Sequence, residues 1–386
     1  MAMNSLIMGL VKAGHQVKVL AVNSEKYNVD PDSIPEDYIK STGLELVHLD
    51  LRVKIIPALV SLLRRRSYHV ERFISEAFRD RLVRILRQQS YDVVQLETVF
   101  VAPYIEDIRM HSKAVIILRA HNIEHLIWER MALQARNPLK RFYLSDLART
   151  LKKFEKAAVN RVDGIAAITR KDAAFFRAAT HKPVIDLPFG VFSGQIAAAA
   201  PPISGGRLFH IGAMNWMPNE EGMRWFLDDI WPELHRLHPR LRLTLAGRYM
   251  PHWLKTGYKP GLEVVGEVDD ARSFIEAHDV ALVPLRSGSG IRIKIIEAMA
   301  AGKAVVATSV GAEGILYTHN ENIFIADRLH DFIEFVELFT SQPEKVAQIA
   351  AGGLKLVHDH YNNDRLVSRL LVFYAEARKR LSSVGL

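Results

Sequence analysis

Apolar residues fall in short, nearly unbroken runs, and between the runs they recur with helical spacing. Runs at 92–97, 113–120, 164–169, 182–187, 207–211, 241–246, 262–268, 280–285, 304–308 and 322–326 predict buried strands. Residues 16–22 and 44–50 predict two strands more. Helices are expected over 6–11, stopped by Gly14-His15, and over 70–89. A long hairpin spans 127–160, broken near Asn137-Pro138, with further helices at 172–179, 219–235, 270–278, 292–301, 329–339, 343–358 and 366–381. Strand and helix alternate throughout, as in a parallel α/β architecture.

The alternation lapses once. Residues 187–206, LPFGVFSGQIAAAAPPISGG, carry no charge and hold Pro201-Pro202 and Gly205-Gly206, a linker composition. At 386 residues the chain exceeds what one core usually holds. Two domains are therefore expected, 1–188 and 207–362, joined by a linker at 189–206 and followed by a terminal helical segment, 363–386.

Composition narrows the class. Apolar residues make up 49%, which excludes general disorder, and no cysteine is available for disulfides, thiolate metal sites or a thiolate nucleophile. No run approaches the length of about 18 apolar residues that spans a bilayer, and no signal peptide is evident, so a cytoplasmic protein is expected. The net charge is +8. Between Arg52 and Arg87 ten Arg or Lys face three acids, a field suited to anionic partners. No nucleic-acid-binding module accompanies it, so no nucleic acid is expected. Within that field, 51–68 combines Ile55, Ile56, Leu59, Val60, Leu62 and Leu63 with Arg64-Arg65-Arg66. It reads either as a surface-lying membrane helix or as a helix burying one face in its own domain.

The richest stretch is 280–314, VALVPLRSGSGIRIKIIEAMAAGKAVVATSVGAEG. The loop Ser287-Gly288-Ser289-Gly290 lies where a strand's carboxyl end meets a helix amino terminus, and free N–H groups and the helix dipole there suit a phosphate. Arg292 and Lys294 add fixed charge, Glu297 follows one turn on, and Gly311-Ala312-Glu313-Gly314 makes a second turn. Neither loop fits a Walker or dinucleotide pattern. A phosphate-bearing ligand and ordinary tight turns both remain open. In the first half, the strand 113–120 delivers Arg119-Ala-His-Asn-Ile-Glu-His125, polar residues at a strand's carboxyl end. A metal held by His121, Glu124 and His125 is not expected, since the spacing is not HExxH and no third ligand is convincingly placed.

The segment 284–314 resembles a donor-binding signature, within it P-L-R-x-G-S-G-x-R-x-K-x-x-E-A-M-A-x-G-x-x-V-V-x-T. It belongs to a branch of the retaining, nucleotide-sugar-dependent glycosyltransferases of GT-B fold (group 1, the family 4 type). The resemblance covers roughly 5–380 and is strong over 207–315. It implies two Rossmann-like domains facing across a cleft, the first on the acceptor side and the second binding the donor. The final helix would cross back to the first domain. Of the family's Glu-x7-Glu pair only Glu297 is kept, with Ser289 in the first position. The resemblance assigns His121 as the cleft histidine beside the donor sugar, and Arg292 and Lys294 as the charges on the leaving diphosphate. It places Gly212, Asn219, Gly247, Gly266, Ser289, Gly290, Glu297 and Gly311 around the donor, with Glu297 on the ribose and 265–268 at the base. Asn219 is also expected to cap its helix. Asn122 and Glu155 fall on the cleft side, with Asn122 and Glu124 expected to cap the helix starting there, and Glu155 equally readable as a buried ionic tie. Pro188-Phe-Gly-Val191 resembles the turn ending the first domain, with Phe192 where the family continues with Asp. The family begins with a strand and glycine loop earlier than this sequence does, so the first sheet is expected to lack its opening strand.

The implied reaction moves a sugar, with retention, from a nucleotide diphosphate sugar to a hydroxyl of a glycan or lipid-linked acceptor, in cell-surface polysaccharide synthesis. It needs no metal or other cofactor where Arg and Lys carry the load. Peripheral contact with the inner face of the membrane is implied at the acceptor side. Two rivals stand beside it: a non-catalytic sugar-nucleotide-binding or scaffolding protein, and a sugar-nucleotide epimerase of the same fold.

Overall fold

A computed structural model describes residues 2–25, 28–203, 206–257, 259–288 and 290–384. The chain forms two compact units: one comprises the residues up to Pro188 with those from Val367 onward, the other Phe189–Leu366.

The first unit holds β1 (Leu20–Asn23), β2 (Glu45–His48), β3 (Val93–Leu96), β4 (Val115–Ala120), β5 (Gly164–Ala167) and β6 (Val184–Asp186). All pairings are parallel, but the strands form two sheets, β1-β2 and β3-β4-β5-β6. β1 is only half-buried along its length, whereas β4 and β5 are buried throughout. The helix Glu76–Gln88 serves both sheets, because its Leu82 packs against the apolar clusters of each. That helix was expected from residue 70. Tyr104 instead donates its hydroxyl to the Phe73 carbonyl and accepts from the Ser75 N–H, so 72–75 leave the helical ladder and Ser75 caps the start at 76. The predicted hairpin is formed by Glu124–Gln134 and Pro138–Arg161, with the Asn137 side chain accepting from the N–H groups of Leu139 and Lys140. From Val367 the terminal helix Asn363–Val384 belongs to this unit. Tyr374 donates to Gln95 Oε1 at 2.5 Å, and Arg378 donates to Asp92 at 2.7 Å. Gly164 permits this, since a Cβ there would meet the Phe373 ring at 2.8 Å.

The second unit holds β7 (Arg207–Ile211), β8 (Arg242–Ala246), β9 (Leu262–Gly266), β10 (Val280–Val283), β11 (Ala304–Ala307) and β12 (Phe324–Ile325) in one parallel sheet, ordered β12-β11-β10-β7-β8-β9. The chain winds outward from β7 in one direction and from β10 in the other, the doubly wound order of a dinucleotide-type domain. The single helix predicted over 219–235 is Met217–Trp225, a π turn at Phe226–Ile230, and Trp231–Leu237. Pro232, lacking an N–H, forces the change of ladder. Residues 189–203 also depart from expectation, since a segment of linker composition is buried at its start and tied by backbone bonds farther on. Phe189 and Val191 are buried, Val191 exchanges backbone bonds with Tyr361 and Asn363, and Ala197 N–H donates to the Ala300 carbonyl.

Candidate functional site

The winding reverses between β7 and β10, and beyond the carboxyl ends of those neighbours lies the crevice where such sheets bind ligands. Two loops reach it. Gly212 follows β7, and 284–292 follow β10. The helix Met217–Trp225 lies directly on the end of β10, because Gly222 has no side chain: a Cβ there would stand 2.4 Å from the Pro284 carbonyl oxygen. This close approach carries Asn219 to the site.

Lys294, in the first turn of the helix Ile293–Ala300, donates from Nζ to Asn219 Oδ1 at 2.9 Å and to His210 Nε2 at 3.3 Å. The ammonium stands against Gly212, where a Cβ would meet Nζ at 2.6 Å and Asn219 Nδ2 at 2.7 Å. Burial, reinforced by Arg292 and opposed by Glu297, pushes the Lys294 pKa down to about 7. Arg292 is buried and immediately precedes the helix, without a capping hydrogen bond from its side chain. Its Nη1 donates to the Gly290 carbonyl at 2.9 Å, and its guanidinium lies 5.2 Å from the centroid of the Trp216 ring. Gly288 and Gly290 both adopt positive φ, at 110° and 85°, and a Cβ on Gly288 would meet Arg292 Nη2 at 2.7 Å. Glu297 is half-buried, and burial raises its pKa against the pull of Lys294.

The structure thus brings Gly212, Asn219, Gly290, Arg292 and Lys294 together. Asn219 differs from expectation. It is the third residue of its helix rather than the cap, which is Trp216, and its amide fixes the Ala213 carbonyl and the Lys294 ammonium instead. Gly247 closes the end of β8 against Gly212, whose carbonyl oxygen a Gly247 Cβ would meet at 1.9 Å. Gly266 ends β9 with φ 84° and open space beside it, and its carbonyl accepts from Gly247 N–H. Gly311 packs on the Val283 carbonyl and donates its N–H to Thr308 Oγ1 at 2.9 Å, a role in holding the turn. Ser289 lies outside the described residues. Its neighbour Ser287 donates to Glu221 Oε2 at 2.8 Å, which brings a carboxylate from another element to this loop. The sequence reading missed His210 and Glu221. The signal for His210 was a lone polar residue inside the buried run RLFHI.

A second polar cluster stands in the first unit, at the carboxyl ends of β3 and β4. Glu97 Oε2 accepts from His121 Nε2 at 2.9 Å and from Arg119 at 3.4 Å, and Glu97 Oε1 accepts from Gln95. Burial raises the Glu97 pKa, but the bonds and charges of His121 and Arg119 outweigh it, leaving the carboxylate below its ordinary value. Glu155 is a buried tie: it accepts from the Glu124 N–H at 3.1 Å and pairs with His125 Nδ1 at 2.5 Å. It therefore takes over the capping expected of Asn122 and Glu124. Asn122 bonds the Glu124 side chain, which burial and Glu155 hold above the usual carboxylate range. Among the described residues no group of three or more His, Cys, Asp or Glu is placed to hold a metal ion.

Residues 205–339 match the family model described as glycosyl transferases group 1. The chain is 21% identical over 311 residues to an uncharacterized 44.6 kDa protein in the cps region of Klebsiella pneumoniae, covering 76% of each. It is similar to Anabaena Alr3699/HepE, solved in complex with UDP, with a TM-score of 0.65, 12% identity and 96% of each chain covered. Sucrose-phosphate synthase from Thermosynechococcus elongatus gives a TM-score of 0.66 at 15% identity, covering 97% of this chain and 92% of that one. The architecture is the GT-B fold of these structures.

Proposed function

We propose that the protein transfers a sugar from a nucleotide diphosphate sugar to a hydroxyl of a glycan or lipid-linked acceptor, with retention of anomeric configuration, during assembly of a cell-surface polysaccharide. The observation that carries this reading is the convergence of Arg292 and Lys294 on Gly212 and Gly290 at the switch point. Separation of sugar and diphosphate is the barrier in such a transfer, and positive charge held at the leaving group lowers it. Arg292 and Lys294 supply that charge at the pocket edge beside Gly212, so no metal is called for. Glu297, three residues after Lys294 and half-open to solvent, accepts the ribose hydroxyls. His121, held by Glu97, serves the transferring sugar. The matched family, the UDP in the Anabaena structure and the cps-region relative all support this assignment.

Membrane contact belongs to the same reading. Ile56 and Leu63 on the helix Ile55–Leu63, and Leu133, Leu139 and Phe142 on the hairpin, are exposed among Arg64, Arg65, Arg66, Arg136, Lys140 and Arg141. Exposed apolar side chains with cations beside them along the chain suit an anionic bilayer surface.

Calorimetric titration of nucleoside diphosphates and nucleosides tests the donor site. R292A and K294A each lose a charge-assisted bond worth roughly 1.5–3 kcal/mol, weakening diphosphate binding about tenfold to a hundredfold while nucleoside binding holds. E297A weakens both. Three variants that bind diphosphates like the parent would remove the chemical basis of the assignment. Donor binding with neither nucleotide release nor transfer would favour the non-catalytic reading, and conversion of the donor sugar in the absence of any acceptor the epimerase reading.

A further inference from the structure

His210 sits inside β7 among apolar neighbours and is only 1% exposed. Its Nδ1 lies 2.8 Å from the Leu282 carbonyl oxygen of β10, which can only accept, so Nδ1 carries the proton. Nε2 is then an acceptor, and it faces Lys294 Nζ at 3.3 Å. The other partner of that amine is Asn219 Oδ1, itself oriented by the bond from Asn219 Nδ2 to the Ala213 carbonyl at 2.9 Å. Lys294 is thus held by two neutral acceptors and forms no ion pair with a described carboxylate. The charged or titratable groups facing it are His210 from β7 and, on its own segment, Arg292 and Glu297. Burial and the adjacent Lys294 keep His210 well below its ordinary pKa, so it stays a neutral acceptor.

We propose that His210 is a positioning residue that holds the Lys294 amine against Gly212 without a counter-charge, so that the donor's diphosphate completes the ion pair and one proton enters from solvent as it binds. The inference rests on the nucleotide-sugar reading of the site and adds a linkage that this reading does not require. The amine that titrates near neutrality in the open site becomes a full ammonium beside the phosphate oxygens, and the incoming proton resides on Nζ. A carboxylate partner in place of His210 would have kept Lys294 charged throughout and competed with the ligand. A neutral imidazole orients the amine and leaves its charge for the phosphate.

The test is calorimetric titration of the full chain with UDP and GDP between pH 7.5 and 9.5, in pairs of buffers with different ionisation enthalpies. In the parent, binding takes up close to one proton at the upper end of this range. Affinity falls toward about tenfold per pH unit, the slope of a one-proton linkage. K294R, whose guanidinium stays charged, abolishes the uptake and flattens the profile. H210L removes the acceptor and weakens diphosphate binding about tenfold with nucleoside binding unchanged. H210Q, which restores an acceptor, recovers most of the affinity and the pH slope. A parent that binds diphosphate with no proton uptake overturns this inference alone, whether or not H210L folds. So does a folded H210L protein with the parent's affinity and slope. A parent that binds neither UDP nor GDP overturns the donor-site reading and this inference with it.

Discussion

Gly212 and Gly247 end neighbouring strands, and the missing side chain does different work at each. A Cβ on Gly212 meets only the tips of Lys294 and Asn219, which can swing aside. G212A is therefore expected to fold normally, and to bind nucleoside diphosphate about tenfold more weakly because the ammonium is displaced. A Cβ on Gly247 meets the Gly212 carbonyl oxygen, and φ there is 139°. Neither can relax without moving backbone, so G247A is expected to cost at least about 2 kcal/mol of stability, strain and overlap together. Thermal or denaturant unfolding beside a UDP titration separates the two cases. Equal effects of both substitutions on binding and stability would contradict this division. His121 makes a third case. Its bond to Glu97 orients the ring, so H121A is expected to lower turnover far more than donor affinity. Unchanged turnover in a folded H121A protein would return His121 to a structural role beside Glu97.

Among the elements, the hairpin Glu124–Gln134 and Pro138–Arg161 has the plainest division of labour. One end is anchored where Glu155 ties His125 and the start of the first helix. The other carries Leu133, 73% exposed, Leu139, 82%, and Phe142, 67%. Burying such side chains against their own domain would gain about 1.5–3 kcal/mol each. Their exposure beside Arg136, Lys140 and Arg141 therefore calls for a partner surface. The helix Ile55–Leu63 presents Ile56 and Leu63 in the same manner, while its Ala58 packs with Tyr68, Leu147 and Trp128. Co-flotation with vesicles containing anionic phospholipid is expected for the parent, weakened by salt. L139E/F142E and I56E/L63E are expected each to reduce it, and the combined variant to abolish it. Flotation that is equal on neutral and anionic vesicles, or unchanged by these substitutions, would discard the membrane face.

On the scale of the whole molecule, the join between the units is the feature that composition misrepresents. Residues 189–203 carry no charge and two adjacent prolines, yet their backbone is tied to Tyr361, Asn363 and Ala300, and Gly190 lies against Asn363. Limited digestion with chymotrypsin is expected to spare Phe189 and Phe192 under native conditions, with cleavage appearing only as the second unit unfolds. Rapid cutting at these residues in the folded protein would show the segment to be a free linker after all.

The sequence by itself determined the alternation of strands and helices, the parallel α/β class and the glycine loop with Arg292, Lys294 and Glu297. These are local matters. Strand periodicity, turn chemistry and a run of typed residues need only near neighbours along the chain. The resemblance added the GT-B architecture and the part assigned to His121. Tertiary structure decided what depends on approach between distant segments. It made Asn219 a holder of Lys294 rather than a cap, because Gly222 lets its helix sit on Pro284. It made Glu155 the cap of a helix about thirty residues away, and it packed a segment that composition marks as loose. His210 gained its place in the same way. A single polar residue in an apolar strand has no meaning along the chain. It acquires one when β10 supplies a carbonyl to one ring nitrogen and a helix brings a lysine to the other.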